Sequence, residues 1–369
     1  MARLRCTTLY ALTAIDLFSG AGGTTQGFRD AGYKVVAAIE NDGPAGRSFA
    51  LNHRDTELLP RDITRVQAPA LARRLMEAHG QLTVLTACPP CQPFSTLGTG
   101  DAKDPRNNLV STIVRFVRQL LPRAIVLENV PGLRSAPRYK RLIKDLEETH
   151  DVREYLVQAK DFGIPQNRRR VIVLGFEREA GVVLPTDLLR ALPADFDVSA
   201  RTAGDGLEAA AELTEALDSL HRGRQLQAKT LERIKSVTPG GGRTQLPEHL
   251  QLGCHKRLAT RSATSIYGRI DPEKAAPTIT TRCTTPSCGR FVHPTEDRGL
   301  TLREAALLQT FPASYRFDGS YGDIERQIGN AVPPRLAEAL GGIVAGLLAA
   351  ADASSASELD ATSAGRAAA

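Results

Sequence analysis

The stretch that decides the fold is Ala14-Ile15-Asp16-Leu17-Phe18-Ser19-Gly20-Ala21-Gly22-Gly23. Its apolar first half predicts a buried strand, and the glycines that follow indicate a tight turn into a helix that ends near Gly32. Glycines let a ligand approach the backbone closely, and the first N–H groups of a helix are free to bind it. A purely structural turn looks the same, so this stretch alone is only typical of a nucleotide-type site.

The alternation of strand and helix continues through the first half of the chain. The segments between the apolar runs carry apolar residues at helical spacing, most clearly at Leu109, Ile113 and Phe116. Strands are predicted at residues 14–18, 34–40, 82–87, 124–128 and 170–176. This order predicts the α/β class, with a mostly parallel sheet covered by helices on both faces.

The character of the sequence changes after Phe176. Residues 222–298 contain fourteen Lys and Arg residues against six Asp and Glu residues, which predicts a basic, loop-rich second domain. Regular structure is expected again where Thr301 and Glu304 have the spacing of a capping box. A final helix is predicted from Pro334 to about residue 350, followed by a disordered Ala- and Ser-rich tail.

Composition restricts the class of protein. The 369 residues are 42% hydrophobic and 24% charged, as in ordinary soluble proteins, and the net charge of +6 suggests an anionic partner. The six cysteines form neither a dense disulfide framework nor a common zinc spacing, so free thiols in a reducing cytoplasm are expected. The start of the chain lacks the apolar run of a signal peptide, and residues 336–350 are too short to span a membrane.

A single cysteine stands out in the run Pro89-Pro90-Cys91-Gln92-Pro93. The prolines fix the backbone, so the thiol is held on a stiff, extended loop. This loop follows a predicted strand, and open α/β sheets bind their ligands at the carboxyl ends of strands. The usual fate of a lone cysteine is an inert buried thiol, but the stiff loop favours a functional role for Cys91.

Other polar residues lie beside predicted strand ends. Glu40 follows the glycine turn by about twenty residues, where an acidic residue binds ribose hydroxyls, and Asp62 with Ile63 is placed to cap and cover an adenine ring. Glu128 is placed to share a proton with a ring nitrogen. In the run 166–170, alternate residues share one side of an extended segment, and arginine suits phosphate or carbonyl oxygens. Taken alone, each of these residues is more typical of a surface charge or a cap.

Together these runs resemble the DNA (cytosine-5) methyltransferase family in identity and order, from about Ala14 to Leu340. The glycine stretch is similar to its S-adenosylmethionine loop, and residues 89–92 are similar to its nucleophile motif. Residues 104–109, 128–130, 166–170, 303–312 and 329–334 are similar to further motifs of the family. The chain departs from the usual pattern at residues 86–88, where small residues are common, at Arg61 and at Asn41.

The resemblance implies the following site residues. Catalytic roles fall on Cys91, Glu128, Arg168 and Arg170. S-adenosylmethionine is implied to bind at Phe18, Ser19, Gly20, Gly22, Gly23, Glu40, Asp62, Ile63, Pro89, Asn330 and Val332. Contacts with DNA are expected from Gln92, Ser95, Arg106, Gln166, Arg243, Arg282 and Arg290. No metal is expected.

The resemblance also implies a covalent mechanism. Cys91 adds as a thiolate to C6 of cytosine and Glu128 supplies or stabilises a proton at N3, while Arg170 steadies the O2 side. C5 then attacks the methyl group of the cofactor. The base lies inside the duplex, so it is turned out of the stack at a cost of about a few kcal/mol.

The implied architecture is a Rossmann-like class I methyltransferase sheet with a smaller target-recognition domain. Residues 1–180 and 322–352 are expected to form the catalytic, S-adenosylmethionine-binding domain, residues 181–321 the target-recognition domain and hinge, and residues 353–369 a disordered tail. The implied enzyme is a cytoplasmic bacterial monomer that acts on double-stranded DNA in a restriction–modification system, beside a separate cognate restriction endonuclease.

Three alternatives remain open from the residues. A tRNA cytosine-5 methyltransferase uses the same scaffold, although a large basic second domain favours DNA. A catalytically inactive DNA-binding relative is less compatible with an intact set of Cys91, Glu128, Arg168 and Arg170. A nicotinamide-dependent dehydrogenase is the weakest alternative, because the glycine stretch lacks the spacing of that fingerprint.

Overall fold

The computed structural model describes residues 11–90, 109–214, 216–257 and 263–367. The strands are β1 (Thr13–Leu17), β2 (Lys34–Glu40), β3 (Glu57–Pro60), β4 (Val84–Ala87), β5 (Ala124–Asn129), β6 (His150–Gln158), β7 (Gln166–Asn167), β8 (Arg169–Glu177) and β9 (Ala276–Pro277). The helices of the first half are α1 (Gly23–Asp30), α2 (Gly43–Asn52), α3 (Ala68–His79), α4 (Leu109–Leu120) and α5 (Pro137–Leu146). Those of the second half are α6 (Ala203–Leu207), α7 (Ala228–Lys235), α8 (Gly253–Lys256), α9 (Leu302–Leu308), α10 (Tyr321–Asn330) and α11 (Pro334–Ala367).

A seven-stranded sheet of order β3-β2-β1-β4-β5-β8-β6 forms the centre of the protein. The pairs among β1 to β5 are all parallel, whereas β8 runs antiparallel to both of its neighbours. The strand order reverses at β1, between β2 and β4, and a crevice opens outside the carboxyl ends of strands at such a point. The α/β class with a mostly parallel sheet is therefore confirmed, and each of the five predicted strands agrees with an observed one to within two residues.

Helices cover both faces of the sheet. On one face, Leu75 of α3, Phe116 of α4 and Leu142 of α5 belong to one buried cluster with side chains of the strands. On the other face, Phe28 of α1 and Leu340 of α11 belong to a second cluster. Because both faces are covered, the inner strands are buried throughout and mostly apolar rather than alternating, which is why the sequence pattern detected them.

Helix α11 is a core helix. The stretch from Tyr321 to Ser357 is long and apolar enough to cross a membrane by length and composition, with a mean hydropathy of 1.6. However, Leu336, Leu340 and Ile343 are fully buried in the second cluster. The helix also continues to Ala367, where the sequence analysis predicts disorder over 353–369, because its alanines have the highest helix propensity of any residue.

Residues 181–321 contain few regular elements, as predicted. Helix α9 begins with the predicted capping box, in which Thr301 and Glu304 bond each other's backbone N–H groups. A third cluster joins Ile279 and Leu302 of this region to Ile324 and Ile328 of α10. The loop-rich region thus packs against the segment that leads into α11, while domain boundaries at 180 and 322 stay a prediction.

Candidate active site

The topology gathers several predicted site residues at one edge of the sheet. Strands β4 and β5 are parallel and end there, and the antiparallel strand β8 begins there. Ala87 is level with Leu127, so the residues that follow, Cys88 and Glu128, are level as well. Because side chains alternate between the faces of a sheet, these two point to the same side.

A buried ion pair lies at this edge. Arg170 Nε lies 2.7 Å from Glu128 Oε1, and the side chains are only 12% and 7% exposed. The other carboxylate oxygen, Glu128 Oε2, accepts a hydrogen bond of 2.9 Å from the thiol of Cys88. The Arg170 contact is an ion pair without hydrogen-bond geometry, because Glu128 Oε1 has no hydrogen-bond partner among the described residues. The two oxygens of Glu128 therefore differ, since one faces a permanent cation and the other a weak neutral donor.

Asn129 fixes the chain just before the predicted nucleophile. Its amide Nδ2 donates to the carbonyl oxygen of Pro89 at 3.0 Å, and its Oδ1 accepts from the N–H of Val130 at 2.8 Å. Pro89 is buried beside Glu128. The sequence analysis quoted Asn129 within a motif but assigned it no role. Four predicted residues, Cys91, Gln92, Ser95 and Arg106, lie outside the described residues.

The glycine stretch forms the predicted turn between β1 and α1. Gly22 has φ of +98°, and a Cβ atom there would lie 2.6 Å from His53 Nε2 and 2.7 Å from the Tyr315 hydroxyl. Phe18 and Gly20 also have positive φ, +63° and +56°. Such values are rare for a residue like phenylalanine and occur at functional sites. Glycine is required at position 22 both for its backbone conformation and for space.

Two residues that the sequence analysis did not identify stabilise this turn through hydrogen bonds. The Tyr315 hydroxyl donates to the carbonyl of Ala21 at 2.6 Å and lies 2.8 Å from His53 Nε2. Burial lowers the pKa of His53 to about 4, and Arg29 contributes in the same direction. The neutral ring therefore donates from Nε2 to the tyrosine oxygen. No local sequence signal joins two residues so far apart in the chain.

Asp16 is a third missed group. Its carboxyl is buried and accepts a hydrogen bond of 2.7 Å from Thr25 Oγ1. Burial raises the pKa of Asp16 to about 7, although the Thr25 bond acts in the opposite direction. The carboxyl group thus gains its proton near neutral pH. It links the end of β1 to the first turn of α1.

Glu40 and Asp62 lie at the ends of β2 and β3, as the cofactor prediction requires. Glu40 Oε2 accepts from the N–H of Gly20 at 2.8 Å, so this carboxylate also holds the glycine turn, and burial raises its pKa. Asp62 is half-buried, and its Oδ1 accepts from Thr64 N–H at 2.8 Å, which lowers its pKa. Ile63 is buried in the first cluster.

The residues present fit a cofactor of the predicted kind. Ser19 Oγ is buried and has no hydrogen-bond partner among the described residues, so the turn contains a polar atom for a ligand. A Cβ atom on Gly20 would meet nothing within 4 Å, which leaves that side of the turn open. Gly23 passes so close to the Val332 carbonyl that a Cβ atom would lie 2.5 Å from it. Asn330 is exposed nearby in sequence.

Arg168 and Gln166 are placed differently from the prediction. Arg168 is buried, and its guanidinium donates to the carbonyls of Ile279 at 3.2 Å and Ala331 at 2.9 Å. Gln166 is fully buried and bonds the backbone of Ile279 and Leu308. Both side chains therefore join the start of β8 to the loop-rich region, and the predicted contact of Gln166 with DNA stays a prediction.

The three predicted DNA-contacting arginines of the loop-rich region differ in exposure. Arg282 is exposed and Arg290 is half-buried, with its Nε 3.3 Å from the Gly241 carbonyl. Arg243 is buried, at 7% exposure. Arg282 is thus the best placed of the three to reach a phosphate.

Comparison with known proteins identifies the family of this chain. The family model described as C-5 cytosine-specific DNA methylase matches residues 12–344. The Type II methylase M.HgiDII of Herpetosiphon aurantiacus is 35% identical over 334 residues, which is 87% of this chain and 92% of that protein.

Solved structures are similar over nearly their whole length. A structure from E. coli, described as a DNA modification methyltransferase encoded within a prophage, has a TM-score of 0.72 and 25% identity, and the match covers 91% of this chain and 99% of that chain. The S. pombe Dnmt2 methyltransferase has a TM-score of 0.63 at 19% identity, covering 91% and 98%, and shares the fold. The chain belongs to the C-5 cytosine-specific DNA methylase family and is a DNA (cytosine-5) methyltransferase.

Proposed function

We propose that this enzyme transfers the methyl group of S-adenosylmethionine to C5 of a cytosine turned out of a specific duplex sequence, through a transient bond between Cys91 and C6. The observation that supports this most strongly is the pair of Glu128 and Arg170, 2.7 Å apart, at the sheet edge from which the chain leads to Cys91. A carboxyl group held in one orientation is suited to proton exchange with a ring nitrogen.

The chain's own groups act in a fixed order. The Cys91 thiolate bonds to C6 while the proton on Glu128 passes to N3, so that negative charge does not accumulate on the ring. C5 then acts as the nucleophile. When the C5 proton has left to a base, the bond between sulfur and C6 breaks and the N3 proton returns to Glu128. The permanent charge of Arg170 beside Glu128 Oε1 disfavours a proton on that oxygen, so Oε2 is the oxygen that carries the proton.

The cofactor site follows from the turn between β1 and α1. Bound S-adenosylmethionine supplies a methyl group on a positively charged sulfur. The open side of Gly20 and the Ser19 hydroxyl receive the cofactor, while Glu40 and Asp62 meet its ribose and base. The first turn of α1 adds N–H groups that suit a carboxylate. Pro89, Asn330 and Val332 complete the wall near the reacting atoms.

DNA binding is assigned to the loop-rich region and to the residues that follow Cys91. Phosphate contacts offset the cost of extruding the base and make binding depend on salt. The Type II relatives indicate a role in a restriction–modification system, with the cognate endonuclease as a separate protein. The enzyme acts as a cytoplasmic monomer.

The decisive experiment expresses the protein in a methylation-deficient host and maps modified cytosines in the recovered DNA. One sequence context with 5-methylcytosine is expected. The Cys91→Ser variant should give no modification and still bind the duplex, and a duplex with 5-fluorocytosine at the mapped site should become covalently bound to the wild type only. Modification by Cys91→Ser at the wild-type level, or methyl transfer to tRNA in preference to duplex DNA, would overturn the proposal.

A further inference from the structure

We infer that Cys88 is a positioning residue for Glu128, and this inference rests on the proposed role of Glu128 as the proton donor to N3. Cys88 follows β4, and its thiol donates to Glu128 Oε2 at 2.9 Å. The site predictions did not include Cys88. Its position is one where the sequence departs from the small residues that are common before the two prolines.

The backbone fixes the thiol in front of the carboxylate. The N–H of Cys88 bonds the carbonyl of Leu17, which extends the pairing of β1 and β4 by one residue. Cys88 is therefore held at the level of Glu128 on the neighbouring strand. Both side chains line one small cavity, together with Thr24, Phe28 and Val332.

The two oxygens of Glu128 have partners of different strength. Arg170 cannot lose its proton, and its permanent charge beside Oε1 disfavours a proton there, so the exchangeable proton resides on Oε2. Oε2 is the oxygen that Cys88 contacts. A thiol is a weak donor, so it holds this oxygen without competing strongly with a ring nitrogen for it.

Cys88 then stabilises the product of the proton transfer. When Glu128 gives its proton from Oε2 to N3, the thiol hydrogen bond remains on the carboxylate that forms. When the proton returns from N3 to Oε2, the thiol keeps its own hydrogen, so Cys88 exchanges no proton in either direction. Arg170 and Cys88 are the charged or titratable groups that the described residues place against this carboxylate.

The test is the dependence of kcat on pH in Cys88→Ala and Cys88→Ser. Cys88→Ala should lower kcat about fivefold and leave the KM for DNA within twofold, since the loss of a typical hydrogen bond has about this effect and a thiol is a weak donor. It should also move the alkaline limb of kcat to higher pH, because the carboxylate loses a stabilising donor. Cys88→Ser keeps a donor and should restore most of kcat and the original limb.

Further measurements distinguish a failure of the proposed function from a failure of the proposed role of Cys88. In a Glu128→Gln background, the Cys88→Ala change should have no additional effect, because the two act as a unit. The exposed Cys254→Ala is the control for loss of a thiol and should keep the wild-type alkaline limb. Trapping on a 5-fluorocytosine duplex is measured in parallel. If wild type is not trapped, the proposed function fails. If wild type is trapped and Cys88→Ala keeps the wild-type kcat and limb, only the role of Cys88 is overturned.

Discussion

Arginine side chains have different partners at the crevice edge of the sheet and in the loop-rich region of residues 181–321. At the edge, Arg170 pairs with a carboxylate in the cleft. In the loop-rich region, Arg269 is buried and donates to the backbone carbonyls of Val237, Ile234, His293 and Glu296, as well as to Asp297. Arg170 is paired with a side chain of the proposed site, whereas Arg269 stabilises the backbone of the loop-rich region.

The difference follows from secondary structure. In the sheet, neighbouring strands satisfy the backbone carbonyls, so side chains at strand ends are available for chemistry. Where regular strands are short, buried carbonyls need other donors, and arginine supplies several from one side chain. Arg233, with its Nε 2.8 Å from the Leu250 carbonyl, repeats the arrangement of Arg269. A high count of basic residues therefore overstates the number that contact DNA.

The largest expected effect is on catalysis, for a change of Glu128 at the crevice edge of the sheet. Glu128→Gln keeps the shape of the side chain and an acceptor for Arg170 but cannot give a proton, so kcat should fall about 10³-fold, with duplex affinity within a few-fold of wild type. Single-turnover methyl transfer and equilibrium DNA binding measure the two. The matched control is Glu177→Gln, at the far end of β8, where Glu177 pairs with Arg123. A kcat for Glu128→Gln within threefold of wild type would remove the edge from the chemistry.

The next largest effect is expected on stability, for a buried arginine of the loop-rich region. Arg269→Ala leaves several buried carbonyls and Asp297 without their donor, so the free energy of unfolding should fall by about 3 kcal/mol. Lys274→Ala is the control, because Lys274 is 75% exposed and its pair with Asp271 contributes little. Denaturant unfolding measures both variants. Equal stability of the two variants would show that Arg269 is not the structural centre of this region.

The sequence predicted the sheet better than the site. Strands β1 and β4 are buried throughout and appear as continuous apolar runs. Strand β6 was missed because it is an edge strand in which exposed and buried residues alternate, with charged residues among them. Its sequence, with His150 at the start, resembles a helix end as much as a strand.

For the site, the sequence predicted which residues lie at strand ends, but it did not predict which side chains contact each other. Glu128 and Arg170 lie at predicted strand ends, so their proximity follows from topology. The bond of Cys88 to Glu128 requires the register of β4 and β5, which no local pattern contains. Nor does the sequence reveal that Arg168 is buried while Arg170 meets a carboxylate, since both have the same spacing and chemistry.

A smaller effect is expected on the pH dependence of stability, through His53. The His53 ring contacts Tyr315, which lies in the segment before α10 and bonds the turn between β1 and α1. Its pKa is lowered from 6.5 to about 4 by burial, so between these pH values the unfolded chain binds a proton that the folded enzyme does not. The contribution of the neutral His53 ring to the free energy of unfolding is therefore present above pH 6.5 and is lost as the pH falls to 4. His53→Phe lacks it, so the destabilisation that the variant shows at pH 7 should shrink by about 2 kcal/mol at pH 4.

Unfolding measured at several pH values checks this, with the exposed His249→Ala as control. Asp16 titrates with the opposite sign, because its raised pKa costs stability as pH rises towards 7. The difference between wild type and His53→Phe cancels that contribution, which both proteins share. A destabilisation that is independent of pH would mean that folding does not lower the pKa of His53.

The smallest expected effect is on DNA affinity, and it tests whether an exposed arginine of the loop-rich region contacts a phosphate. Arg282 is exposed, and its segment is anchored because Thr284 donates from its N–H at 2.8 Å and its hydroxyl at 2.6 Å to the buried Glu325 of α10. Loss of one phosphate contact should raise the Kd of Arg282→Ala about fivefold and lower the slope of log affinity against log salt by about 1, with stability unchanged. Arg73→Ala, on the exposed side of α3, removes the same charge elsewhere. If both variants weaken binding equally, net charge alone explains the effect, and if Arg282→Ala has no effect, the DNA lies against another part of this region.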